Sequence, residues 1–488
     1  MLSSTVMAFD KPHSESHFGA VSSYFFAIIA PAIVCIATAP NALVCIVLAN
    51  LMCLAITFLV GMHVRTRSFQ DPIIGVFIAC VSSMALICYE SSVTSGTLAF
   101  PYIPGGDGEG YFRDALFIGQ DIEWNLPQVS TNYRGYQVIL ALIFSVFGES
   151  LIVGLCFNYI VLVVSALLIS GFSSEATNDT RVGKYTLIAC CLSTHFFAQG
   201  TILQKDVLII FAFSLFAFSV LKISTNGVRN PIHLVTLFLS IVIVGITRLP
   251  FALFFFVFLL LSVLFQAQTG TKGRLWQSAV TLFAVATTFA ILPLLMRFTT
   301  NEFNSESISG MALDDSKIAS LIEETSKTGV VGRISSLYAG KGIEIRVMLA
   351  PLPVIVQYLL PFAFTSSLFL EDHPWYFINN QLGIIWLFVL GPSAVFAFLD
   401  MRRLSNRWIK TSLATGVIAY ALVAFSYMGV IPRYATPSLA LIFPAVGYVW
   451  ARRFTDKELE LRYAAWMQRY WIAGILIATL YFCLRGSL

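Results

Sequence analysis

Residues 151–172 read LIVGLCFNYIVLVVSALLISGF, 22 positions without one charged side chain. An α-helix rises about 1.5 Å per residue, so this run spans roughly 30 Å, the thickness of a bilayer's hydrocarbon core. Similar runs recur along the whole 488-residue chain, which is 57% hydrophobic, 11% charged and has a mean hydropathy of +0.81. Water-soluble domains carry about 25% charged residues, and disordered chains lack such apolar content. Membrane-barrel strands are short and alternate apolar with polar, unlike these runs. The chain is therefore read as an all-α polytopic membrane protein, a single integral membrane domain over residues 1–488. A net charge of +4 offers no footprint for nucleic acid.

Cysteine and histidine usage agrees. All nine cysteines lie inside apolar runs, away from the polar loops where a disulfide or zinc cluster is usually built. The six histidines are scattered and include no HExxH pair. The start of the chain carries Asp10, Lys11, His13, Glu15 and His17 ahead of the first apolar run. With no small-residue cleavage site, it reads as a retained segment rather than a signal peptide.

Apolar runs place membrane helices near 21–38, 42–62, 72–90, 151–172, 185–199, 207–223, 233–247, 250–267, 277–296, 382–400, 411–430, 434–452 and 468–486. That makes about 13 crossings. Two further apolar stretches, 135–148 and 347–370, are read as juxtamembrane or re-entrant helices, because the loop charges then sort cleanly. Eighteen of the 30 basic residues, at Lys11 and in connectors around Arg65, Arg181, Lys222, Lys272, Arg402 and Arg452, fall on one side. The positive-inside rule makes that side cytoplasmic, the N-terminus with it. Residues 91–150 and 297–381 then form two large external loops. The first holds an acidic motif and a juxtamembrane helix. The second includes a Ser/Thr/Glu/Lys-rich part, 298–345, that reads as a mobile flap. Loops longer than about 12–15 residues are usually functional or disordered.

The first loop contains Gly105-Gly106-Asp107-Gly108-Glu109-Gly110-Tyr111-Phe112-Arg113-Asp114. Glycines around Asp107 and Glu109 allow tight or left-handed turns that present the two carboxylates without bulky neighbours. Such a pair supplies a general base, a metal ligand or both; a solvated turn is the plainer alternative. Three cations sit at helix ends on the same side: Lys205 before the run from 207, Arg248 in the hairpin Thr247-Arg248-Leu249-Pro250, and Arg433 in Pro432-Arg433-Tyr434. Charges at the boundary of a bundle are functional candidates. Arginine suits bidentate capture of phosphate and lysine acts on it as a point charge. Snorkelling to headgroups, or a pairing of Lys205 with Asp206, is the structural alternative. Glu371-Asp372-His373-Pro374-Trp375-Tyr376 is a polar and aromatic cluster that also suits an interfacial belt. His195 reads as a satisfied interior residue of the 185–199 helix. No P-loop or Gly-x-Ser-x-Gly occurs, so neither an ATP-driven pump nor a lipase-type nucleophile is supported.

This layout resembles the integral-membrane glycosyltransferases of the C superfamily, which use polyprenyl-phosphate-linked sugars. The resemblance rests on Gly-Asp107-Gly-Glu109-Gly-Tyr111 in the first external loop, on Tyr133-Arg134-Gly135-Tyr136 and the following run to Phe147-Gly148-Glu149-Ser150, and on Arg433-Tyr434-x-x-Pro437. Gln204-Lys205-Asp206 and Thr247-Arg248 also look like bacterial surface-polysaccharide polymerases of similar architecture. The Pro-Pro-Leu signature of protein mannosyltransferases is absent, which leaves the acceptor open. The resemblance implies a transferase or polymerase on the periplasmic face of a bacterial inner membrane. Its partners would be a polyprenyl-(di)phosphate-linked sugar, a glycan or lipid-linked acceptor, and membrane lipids. Asp107 would be the catalytic base with Glu109 in reserve, and Lys205, Arg248 and Arg433 would bind the donor phosphate. Tyr111, Arg113, Arg134, Tyr136, Tyr434 and His373 would line the substrate. No cofactor is required, although a divalent cation is compatible with the acidic motif. The alternative is a transporter or flippase of a lipid-linked glycan, for which charged residues near mid-bilayer and broken helices in matching halves are expected.

Overall fold

The computed structural model describes residues 15–64, 72–95, 107–120, 135–226, 230–266, 374–426 and 436–486. Among them every regular segment is helical. In chain order these are α1 (Glu15–Thr38), α2 (Leu43–Val64), α3 (Pro72–Ser95), α4 (Asp107–Gln120), α5 (Gly135–Phe147), α6 (Leu151–Thr177), α7 (Thr180–Cys191), α8 (Thr194–Thr201), α9 (Asp206–Asn226), α10 (Ile232–Arg248) and α11 (Ala252–Gln266). They continue with α12 (Pro374–Ile385), a π-helical turn over Trp386–Leu390, α13 (Gly391–Leu399), α14 (Arg407–Ser426), α15 (Thr436–Arg452) and α16 (Lys457–Gly486). Among the described residues, six helical stretches are long and apolar enough to cross a membrane, and one of them, Ile232–Phe265, joins α10 and α11. The protein is an integral membrane protein built as a helical bundle.

The bundle is organised around α6 and α9. Of the apolar window within Asp206–Thr225, 89% is buried, against 28% for Pro40–Val60. The exposed large side chains, such as Ile33, Val44, Leu48, Phe58, Val235 and Leu264, sit on α1, α2, α10 and α11. An apolar belt of that extent faces lipid rather than water. Polar groups inside the bundle are tied by hydrogen bonds. Asn50 on α2 donates through Nδ2 to the Ala27 carbonyl at 3.0 Å and accepts from the Tyr159 hydroxyl at 2.9 Å, joining α1, α2 and α6.

α10 runs antiparallel to α9, with Ser219 and Thr236 in contact at 2.7 Å and Arg248 beside Asp206 at 3.2 Å. The 3-10 turn Leu249–Phe251, with Pro250 inside, then reverses the chain. α11 returns along α9 through a ladder of rings, Phe213 with Phe251 and Phe216 stacked on Phe255 at 4.0 Å. Arg248 thus occupies the expected hairpin.

Two expectations are corrected. The run 185–199 is not one helix: α7 ends at Cys191, and Ser193 caps α8 by accepting a hydrogen bond from the Phe196 backbone N–H. His195 therefore lies in the first turn of a separate short helix, its ring edge-to-face with that of Trp386 at 4.9 Å between centres. The glycine-rich acidic motif is also no turn. It is helical from Asp107 onward, and Gly108 serves close packing: a Cβ there would stand 3.2 Å from the Leu203 carbonyl oxygen. The apolar stretch 135–148 holds the helix α5, about 20 Å long and shorter than a bilayer crossing. The expected helix at 277–296, the stretch 347–370 and the 298–345 segment lie outside the described residues.

Candidate active site at one end of the bundle

The site is assembled from chain segments that meet where α6 and α10 reach the same level of the bundle. α4 and α5 pack against each other, held by edge-to-face contact of Phe112 with Phe144 at 5.4 Å and by Gln137 Nε2 donating to Asp114 Oδ2 at 3.4 Å. Gly135 lets α5 start directly against α10, since a Cβ there would meet the Ile246 carbonyl oxygen at 2.5 Å. A connector, residues 202–205, leads from α8 into α9. The Lys205 carbonyl accepts from the Leu208 N–H of α9 at 3.0 Å, and the Ile202 and Gln204 carbonyls must be satisfied otherwise in the low-dielectric interior. Asn158, about two turns into α6, does this: Nδ2 donates to Ile202 O at 2.8 Å and to Gln204 O at 3.2 Å, while Oδ1 accepts from the Tyr136 hydroxyl at 2.9 Å.

From this hub the nominated residues follow in sequence. The ring of Tyr136 packs edge-on against that of Tyr111 at 5.2 Å, and the Lys205 ammonium stands 5.6 Å over the Tyr111 ring. Next along the chain, Asp206 opens α9 and accepts from Arg248 Nη1 at 3.2 Å; the Arg248 guanidinium also lies 5.7 Å from the Phe251 ring centre. Glu109, one helical step from Tyr111, is ion-paired with Arg113. Relative exposures are 8% for Glu109, 9% for Lys205, 9% for Arg248 and 1% for Asp206. Arg113 instead has a side chain 67% exposed. Two cations, two carboxylates and two phenols packed edge-on therefore share one nearly closed end of the bundle. Charges held in so little water act strongly on an anion brought among them.

Of the residues nominated from sequence, Glu109, Tyr111, Arg113, Tyr136, Lys205 and Arg248 are brought to this end. Asp107 begins α4, placing its backbone beside them, but its side chain lies outside the described residues, as do Arg134, His373, Arg433 and Tyr434 entirely. Among the described residues, no group of three His, Cys, Asp or Glu side chains has the arrangement of a metal site. Sequence reasoning passed over Asn158. Its signal was present: it is the one carboxamide within the apolar stretch of α6. Asp206 was noted only as a partner of its neighbour Lys205, whereas the structure brings it to Arg248 from 42 residues away.

No protein-family model matches the chain. No curated protein matches it either. Among solved structures, the chain is similar to the crystal structure of ArnT from Cupriavidus metallidurans bound to undecaprenyl phosphate, at 12% sequence identity and a TM-score of 0.34 over 78% of each chain. A superposition that loose fixes neither a shared site nor a shared ligand.

Proposed function

We propose that the protein is a membrane glycosyltransferase, or glycan polymerase, that takes its sugar from a polyprenyl-(di)phosphate on the external face. The observation that carries this reading is the convergence of Lys205, Arg248, Glu109 and Tyr111 at one buried end of the bundle. A lipid-phosphate donor keeps its tail in the bilayer while phosphate and sugar protrude, so its site belongs at the bundle's end, next to lipid. Lys205 and Arg248, with Arg433, hold the phosphate and offset the charge it gains as the glycosidic bond breaks, the kind of term that is usually largest in catalysis. Asp206 keeps Arg248 aimed while it does so.

The acceptor hydroxyl needs a base. Glu109 is engaged by Arg113, so proton acceptance is assigned to Asp107 at the first turn of α4. Attack opposite the phosphate inverts the anomeric carbon; retention would need a second, nucleophilic carboxylate, by the logic of glycosidases. Tyr111 and Tyr136 present ring faces and edges suited to a sugar.

Purified protein in detergent tests the reading. Wild type should bind undecaprenyl phosphate, and Lys205→Ala should weaken that binding by about 10–100-fold, the worth of one charge-assisted contact. Asp107→Asn should bind the lipid normally and transfer no sugar. Transfer by Asp107→Asn at the wild-type rate would remove Asp107 from the mechanism, and binding without transfer by any preparation would favour a flippase.

A further inference from the structure

Gln199 has no role in the arrangement described so far. It is fully buried on α8, and neither its Nε2 nor its Oε1 has a hydrogen-bond partner among the described residues. A buried carboxamide with both ends unmet is strongly unfavourable, and in native proteins such a group is met by water or by a ligand.

Its position favours a ligand. α7 and α8 run antiparallel to α15, because Tyr185 meets Trp450 and, further along, Phe196 meets Phe443 at 5.2 Å. Gln199 is three residues beyond Phe196, one turn nearer the candidate site and on the same side of α8. Three residues on again is Ile202, whose carbonyl is held by Asn158 and through it by Tyr136. Gln199 therefore lies in the last turns of α8, three residues along the chain from the Ile202 carbonyl that Asn158 holds. A second orphan marks the same seam. Thr436, seven residues before Phe443 and so on the same face of α15, is 1% exposed with its Oγ1 unpartnered among the described residues.

The chemistry of the carboxamide selects the ligand class. A phosphate has no proton to give and would satisfy only Nε2, and an acyl chain would satisfy neither end. Neighbouring hydroxyls of a sugar ring donate and accept in the side-by-side pattern that a carboxamide presents. We propose that Gln199 is a sugar-recognition residue, its Nε2 donating to and its Oε1 accepting from hydroxyls of the carbohydrate on the lipid donor, with the phosphate held by Lys205 and Arg248. This rests on the reading of the site as one for a lipid-linked sugar.

The test compares two ligands on the intact protein in detergent: undecaprenyl phosphate alone, and a panel of undecaprenyl phosphates carrying one glucose, mannose, galactose or N-acetylglucosamine. Wild type should bind one of the panel more tightly than the bare lipid. Gln199→Leu, of similar volume, should lose that preference by about tenfold while binding the bare lipid as wild type does. Its melting temperature should rise by about 2 °C, since an unmet polar group has been replaced by an apolar one. Thr436→Val should move both readouts the same way by less. An unchanged preference in Gln199→Leu, a fall in its melting temperature, or a wild type that binds bare and sugar-bearing lipid equally, overturns the sugar role of Gln199. Failure of wild type to bind either lipid overturns the reading of the site itself, a different result.

Discussion

Three hydrogen bonds end on the Asn158 side chain, at positions 22, 44 and 46 residues away in the chain. Replacement by leucine keeps the volume and leaves the Ile202 and Gln204 carbonyls and the Tyr136 hydroxyl unmet. Each such group is worth about 1–3 kcal/mol. Asn158→Leu should therefore unfold well below wild type in a detergent melt. Tyr136→Phe should lose only about 0.5–1.5 kcal/mol, and the double variant should fall short of the sum because the two share one bond. The Asp206–Arg248 pair is a sharper case. Both groups are buried, and removing either leaves the other charge without its partner, at a cost of about 3–5 kcal/mol. Arg248→Ala should thus lose stability as well as ligand, whereas the Asp206→Asn, Arg248→Gln double variant should recover part of the melting temperature and none of the phosphate binding.

Asp179 supplies a pH-dependent contact outside the membrane. Partial burial works to raise its carboxyl pKa, but hydrogen bonds from the Arg181 side chain and backbone, with the charges of Arg181 and Arg452, outweigh this and hold it below the usual range. A carboxyl depressed in the folded state stabilises above its unfolded pKa of about 3.9, and the contribution is lost as pH falls through the folded value. As the cap of α7 it is worth about 1 kcal/mol. Melts of wild type and Asp179→Asn should differ at pH 7 and converge as the pH drops below 4; a gap that persists there would assign the effect to packing.

Some helices of this bundle approach closely where glycine replaces a side chain. At Gly183 on α7 a Cβ would collide with the Ser174 hydroxyl and stand 2.8 Å from the Ser170 carbonyl oxygen, while Ser170 Oγ donates to the Gly183 carbonyl at 2.9 Å. Gly447 on α15 meets Thr186 and Val182 of α7 in the same manner. Gly119 on α4 has open space around it. Gly183→Ala should therefore destabilise by about 1–3 kcal/mol through overpacking, and Gly119→Ala should be neutral or stabilise by up to about 1 kcal/mol through helix propensity. Paired melts check the contrast. The same distinction explains why the acidic motif was misread as a turn. Glycine permits turns and also permits contact, and only the carbonyl of Leu203, 95 residues further along the chain, selects contact for Gly108. The break between α7 and α8 was likewise hidden, because the polar stretch Ser193-Thr194-His195 is short and apolar residues flank it on both sides.

The two ends of the bundle differ in charge. Opposite the candidate site lie Lys222 paired with Glu175, Arg462 with Asp400 at 3.2 Å, and Arg403 near Glu458. These belong to the connectors that the positive-inside rule assigns to the cytoplasm. Single cysteines test that sidedness in intact cells: Glu460→Cys, exposed on α16, should react with an impermeant thiol reagent only after the membrane is opened, and Gly119→Cys should react from outside. The reverse pattern would turn the site inward and end the external-donor proposal.

Composition and run length alone determined that the chain is helical and lives in a bilayer, because hydrocarbon tolerates only backbone that satisfies its own hydrogen bonds over a fixed length. Local sequence also nominated Glu109, Tyr111, Tyr136, Lys205 and Arg248, since charge and aromatic clusters at helix ends are visible without a fold. Which of them meet was decided only by the tertiary structure. Asp206 reaches Arg248 through the antiparallel course of α9 and α10, Asn158 binds a connector 44 residues away, and the unmet carboxamide of Gln199 is evident only when every neighbour is in place. Hydrophobic pattern carries the direction of burial along one helix, whereas hydrogen-bond satisfaction depends on partners that several helices supply together.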